Sequence, residues 1–91
     1  MSAWKVDVGS AVRREMRTLP QRCRHEVIGV LVSLEDGPSA FPDSELRGFR
    51  DYHRVRVCGS HRLIFHVSRS RRRVLVTRLE PRHRVYRGFE R

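Results

Sequence analysis

Residues 52–79 read YHRVRVCGSHRLIFHVSRSRRRVLVTRL, and the alternation in this stretch decides the fold. In Tyr52–Cys58, Val55 and Val57 fall on one side of a period of two, with Arg54 and Arg56 on the other. Successive side chains of a strand point to opposite faces, so the pattern predicts a strand with one apolar and one cationic face. Gly59-Ser60 is a tight-turn signal. In His61–Ser68, Leu63, Phe65 and Val67 share a face opposite Arg62, Ile64 and His66. Arg69–Arg73 reads as a charged turn, and Val74–Leu79 as a third strand closed by Pro81. Three strands joined by short turns predict an antiparallel meander.

Upstream of this stretch the period changes. Trp4, Val6 and Val8 alternate with Lys5 and Asp7, which predicts a short strand ended by Gly9-Ser10, with Ser10 placed to cap the next element. Val12, Met16 and Leu19 recur at helical spacing up to Leu19-Pro20. Cys23, Val27, Val30, Leu31 and Leu34 make the apolar stripe of a second helix, with Pro20 in its first turn. Asp36-Gly37-Pro38 ends it, and a loop runs to Glu45. The predicted fold is α+β in a single domain, 1–91: an N-terminal strand, a helical hairpin, then an antiparallel three-stranded meander. One sheet face packs on the helices and the other faces solvent. Trp4 and Phe65 read as core. Phe41 and Phe49 read as lids over the core or as contacts for a partner.

Charge is unevenly distributed. Residues 47–91 hold 14 Arg, no Lys and three acids, a net +11, whereas residues 1–46 carry a net −1. The cationic surface therefore lies on predicted strands, a footprint for a polyanion such as nucleic acid. A membrane surface is the competing partner, but it would favour a basic amphipathic helix. No apolar run is long enough to span a bilayer, and no signal-peptide core is present, so the expected location is the cytoplasm. Cys23 and Cys58 are far apart and outside any metal-type spacing; they read as separate small apolar fillers rather than a disulfide. No His/Cys/Asp/Glu cluster has ligand spacing, so neither metal nor cofactor is expected.

Four strings in order resemble the RelE/ParE superfamily of bacterial toxins from type II toxin–antitoxin pairs. They are Leu46-Arg47-Gly48, Tyr52-His53-Arg54-Val55-Arg56-Val57, His61-Arg62-Leu63-Ile64-Phe65 and Arg82-His83-Arg84-Val85-Tyr86-Arg87. The first 45 residues match only in pattern. The RelE branch implies a metal-independent endoribonuclease that cuts mRNA in the ribosomal A site and so inhibits translation. By that likeness Arg54 and Arg56 stand where the family carries basic catalytic residues, and Arg62 where it has a phosphate-stabilising arginine. Arg82 stands where it has an arginine suited to the leaving group, and Tyr86 where it has a tyrosine that stacks on or orients the substrate. The implied partners are mRNA, the ribosome at its A site and an acidic antitoxin.

The chemistry fits those residue types. Attack of a 2′-OH on the adjacent phosphorus needs a base, positive charge around the crowded phosphate and a proton for the departing 5′-oxygen. Guanidinium forks suit phosphate geometry. The family often has Lys where Arg56 stands, and Arg stays protonated, so Arg56 is a poor base. A histidine is one substitute: His83 beside Arg82, His66 on the Arg62 face, or His61 and His53, neighbours of the arginines on the opposite strand faces; help from ribosomal RNA in activating the 2′-OH is the other. Arg47, Arg50, Arg71, Arg72, Arg73, Arg84 and Arg87 are expected to hold RNA without catalysing its cleavage. For Arg69–Arg73 the simplest reading is a charged hairpin tip that binds phosphate without specificity. Two other functions fit the same resemblance: a ParE-like toxin that poisons gyrase by binding, and a catalytically decayed RNA-binding protein.

Overall fold

The computed structural model describes residues 3–42 and 44–85 of the 91-residue chain. Its elements run β1 (Lys5–Val8), α1 (Ser10–Thr18), α2 (Gln21–Leu34), a 3-10 turn (Pro38–Ala40), β2 (Tyr52–Val57), β3 (His61–Ser68), β4 (Arg73–Pro81) and α3 (Arg82–Val85). This is the expected α+β order. The sheet is four-stranded, β1-β4-β3-β2. The meander is antiparallel as read from its turns, and β1 lies parallel to β4, with Val6 opposite Val74 and Val8 opposite Val76. The N-terminal strand thus covers one edge of the meander, where unpaired backbone groups would otherwise face water.

The helices cover one face. Val12 and Leu19 of the first helical segment, with Cys23, Val27 and Leu34 of the second, pack on Val57, Leu63, Phe65, Val67, Val74, Val76 and Leu79. Each fully buried Val, Leu or Phe among them contributes roughly 1.5–3 kcal/mol. Trp4 and Phe41 pack against this core, and Phe41 meets Phe65 edge-on at 6.3 Å. Gly37 closes α2 at φ 108°, and a Cβ there would stand 2.8 Å from the Trp4 indole nitrogen. Only glycine suits both the backbone angle and the close approach.

Three expectations are corrected and one irregularity is added. Ser10 is the first residue of α1 rather than its cap; Gly9 holds the cap position without a side-chain bond. The far sheet face is not simply solvated. Leu46, Ile64 and Val85 are buried there, with Phe49 and Tyr52 against them, because α3 and the loop before β2 fold over β3 and β4. Along β3 the pairing with β4 slips between Ile64 and Phe65, leaving Thr77 as the extra residue of a bulge. Finally, Cys23 and Cys58 are joined in a disulfide, their Cα atoms 5.4 Å apart. The start of α2 packs over the end of β2, which brings together two residues 35 apart in sequence. No helix among the described residues is long and apolar enough to cross a membrane.

Candidate active site

The cationic face of β2 continues onto β3 and the start of α3. Arg54 and Arg56 are exposed on β2, two residues apart and therefore on one face. The ladder sets Arg56 directly opposite Arg62 of β3. Arg82 begins α3, just past the end of β4. These four arginines line one cavity of about 310 Å³.

Local structure explains why they meet. The β2–β3 turn has positive φ at both Cys58 (53°) and Gly59 (69°), the backbone signature of a tight hairpin that matches strand twist. The Arg62 side chain is 8% exposed. Its Nη1 donates to the carbonyls of Gly59 at 3.4 Å and His61 at 3.1 Å, so the turn aims the guanidinium. The backbone N–H of Arg82 donates to the Ser60 carbonyl at 3.1 Å. At the other end of α3, Val85 is buried and its carbonyl accepts from Arg78 Nη1 at 2.9 Å. A four-residue helix is thereby held at both ends, with Arg82 over the hairpin turn.

Like charges set directly across a strand pair oppose folding. Here Arg56 faces Arg62, and two further arginines join them. Such a cluster is stabilised by an anion that accepts from several guanidinium groups at once, and phosphate does so bidentately. Four guanidinium groups concentrate positive charge in the cavity, and none of its described lining residues is a base.

The other expected site residues are scattered. His83 lines a neighbouring cavity of about 750 Å³ with Ser60, His61, Pro81 and Arg82, so Arg82 belongs to both cavities. Arg84 is exposed on α3, and Arg47 and Arg50 are exposed in the loop before β2. Arg71, Arg72 and Arg73 lie at the β3–β4 hairpin, with Arg73 opposite Ser68. That is the far end of β3 from Arg62, about 20 Å away at strand rise. Tyr86 and Arg87 lie outside the described residues.

Two histidines considered as bases are placed elsewhere. His53 is in the core, stacked on Phe65 at 5.1 Å, with Nδ1 2.8 Å from Ser44 Oγ. Burial pushes its pKa below the ordinary histidine value. His66 lies beside Tyr52, ring centres 4.9 Å apart, and lines a separate cavity with Arg71 and Arg73. The alternation put His66 on the Arg62 face, and the unbroken β2–β3 register keeps it there, but four residues of strand, about 13 Å, separate the two.

One arrangement escaped the sequence reading. His61 Nε2 lies 3.3 Å from Glu15 Oε2 on α1, and His61 Nδ1 lies 2.9 Å from Ser60 Oγ. The available signal was Glu15 itself, the one acid in a helix whose other charges are arginines.

The fold and the site together define a class: a small α+β chain with arginines gathered where a helix-covered sheet meets its last helix. The fold is that of RelE toxins. Over 87% of this chain and 96% of that one, it superposes on the intact E. coli RelBE toxin–antitoxin complex with a TM-score of 0.75 at 24% identity. The archaeal RelE–RelB complex from Pyrococcus horikoshii gives 0.72 at 23% identity, over 92% of this chain and 99% of that one. The RelBE2 complex of Mycobacterium tuberculosis gives 0.69 at 21% identity, over 87% and 98%. No protein-family model and no curated protein matches by sequence.

Proposed function

We propose that this chain is a RelE-type toxin of a type II toxin–antitoxin pair, a metal-independent endoribonuclease that cuts mRNA in the ribosomal A site. The observation that carries the reading is the single cavity lined by Arg54, Arg56, Arg62 and Arg82. The shared fold with RelE toxins supports it.

In the proposed reaction the phosphodiester sits among the four guanidinium groups. The 2′-oxygen forms a bond to phosphorus, the bond to the 5′-oxygen breaks, and a 2′,3′-cyclic phosphate and a 5′-hydroxyl result. Arg56 and Arg62 bind the non-bridging oxygens as negative charge builds there. Arg82 hydrogen-bonds to the departing 5′-oxygen, which takes a proton from water as it leaves. Each well-placed donor lowers the barrier by roughly 2–4 kcal/mol, the scale of one oxyanion-hole donor. The proton from the 2′-OH goes to the imidazole of His83, which follows Arg82 in the sequence.

The partner that holds such a toxin in check is an acidic antitoxin, since a net charge of +10 speeds association with an anionic chain. The solved relatives include RelE bound to RelB. The site of action is the cytoplasm, where ribosomes and mRNA are. The test is a purified translation system programmed with a defined mRNA: the expected result is cleavage within the A-site codon. Salt-sensitive RNA binding without cleavage would favour a decayed RNA-binding protein instead, a reading favoured by the absence of a base among the four cavity residues.

A further inference from the structure

The cavity beside the arginine cluster has no part in phosphate binding, yet it shares a wall with it. It is mostly apolar and is lined by Ser60, His61, Pro81, Arg82 and His83. At about 750 Å³ it falls within the usual range for a small-ligand site. The proposed function leaves it unused, apart from Arg82 and His83 at its rim.

His61 gives the cavity its character. Both of its ring nitrogens are engaged, Nδ1 with Ser60 Oγ and Nε2 with the Glu15 carboxylate. It is opposite Pro81 across the β3–β4 ladder, which holds the ring beside the pyrrolidine. An imidazole locked at both nitrogens has little hydrogen bonding left to offer a ligand. It retains the flat face of its ring. A fixed aromatic ring and a proline ring in a mostly apolar hollow suit a flat heterocycle. The guanidinium of Arg82, which also lines the phosphate cavity, ties that heterocycle to a phosphate.

We infer that this cavity is a nucleobase subsite: it takes the base of the nucleotide on the 5′ side of the scissile phosphate, while the four arginines take the phosphate. The inference rests on the arginine cavity being a phosphodiester site and adds to it the part of the substrate that the arginines do not bind. It places the ribose against His83, where its 2′-OH meets the proposed base. Glu15 and Ser60 are positioning residues for the His61 ring.

The test uses nucleoside 3′-monophosphates, with inorganic phosphate as the control, titrated into the full chain and followed by NMR of the arginine and histidine side chains. Inorganic phosphate is expected to shift the signals of Arg54, Arg56, Arg62 and Arg82. The 3′-monophosphates are expected to shift those and the His61 ring as well, and to bind about 5-fold or more tightly than phosphate. His61→Ala is expected to bring the nucleotide affinity down to that of phosphate, with the phosphate affinity unchanged. His61→Phe keeps a ring without the nitrogens and is expected to retain the gain. Equal affinity for nucleotide and phosphate, or an unmoved His61 ring in the unsubstituted chain, would overturn the subsite while leaving the arginine site standing. Arginine signals unmoved by phosphate would overturn both readings.

Discussion

Arg56 and Arg62 stand directly opposite one another across the β2–β3 ladder, on the same face as Arg54 and within one cavity that Arg82 completes. Facing like charges cost stability, so the arrangement is stable only weakly without an anion and more strongly with one. Arg62 is also buried and bonded to the turn that precedes it. The opposition is therefore built into the hairpin.

Arg56→Ala should leave the folded state as stable or slightly more so, by about 0.2–1 kcal/mol, because it removes half of a like-charge pair. The same substitution should weaken phosphate binding. Thermal unfolding with and without added phosphate checks both: the unsubstituted chain gains more from phosphate than the variant does.

Arg62→Lys should not restore what Arg62→Ala loses. A lysine keeps the charge but cannot bond the Gly59 and His61 carbonyls while also presenting a planar fork to phosphate. Either substitution is expected to slow RNA cleavage by roughly 100-fold or more, the scale of one lost oxyanion donor. Single-turnover cleavage rates measure it.

His53 makes stability depend on pH. Burial lowers its folded-state pKa; Arg69 and His66 push the same way, and Glu45 and Asp51 push back. In the unfolded chain it takes a proton near pH ~6.5. Its neutral form is the one the core accepts, so the stabilisation is fully present above that pH and is lost as the pH falls below it. Denaturant unfolding between pH 8 and pH 5 should show this slope. His53→Phe, which keeps a ring against Phe65 and cannot titrate, should flatten it.

Reduction of the Cys23–Cys58 bond should lower stability by about 2–4 kcal/mol, since it reopens a long loop in the unfolded chain. Unfolding midpoints with and without a dithiol reductant give the difference, and Cys23→Ser should reproduce the reduced value. The bond also anchors Cys58, whose positive φ opens the turn that aims Arg62.

The parts of the fold visible in the sequence are those with a strict period. Arg54 and Arg56 alternating with Val55 and Val57 gave both the strand and its cationic face, because a half-buried strand imposes a period of two. The α2 stripe of Cys23, Val27 and Leu34 followed from helical spacing in the same way. What pairs with what was less visible. Nothing in Lys5–Val8 announces a parallel partner in β4, and residue spacing does not reveal that Cys23 meets Cys58. The bulge at Thr77 has no local signal either. The approach of Glu15 to His61 depends on how α1 crosses the sheet, a tertiary fact that no window of sequence carries. The placement of Arg82 came from a family resemblance, since Arg82–Val85 is too short to show a period.

The central claim is that the four cavity arginines act on one phosphodiester as a unit. The most direct measurement is A-site cleavage of a defined mRNA in a purified translation system, comparing Arg62→Ala and Arg82→Ala with a distal control, Arg71→Ala. The account predicts cleavage by the unsubstituted chain, losses of roughly 100-fold or more for each cavity variant, and a change of only a few-fold for the control. Cleavage that depends on Arg71 as strongly as on Arg62 and Arg82, or that survives their removal, would contradict it.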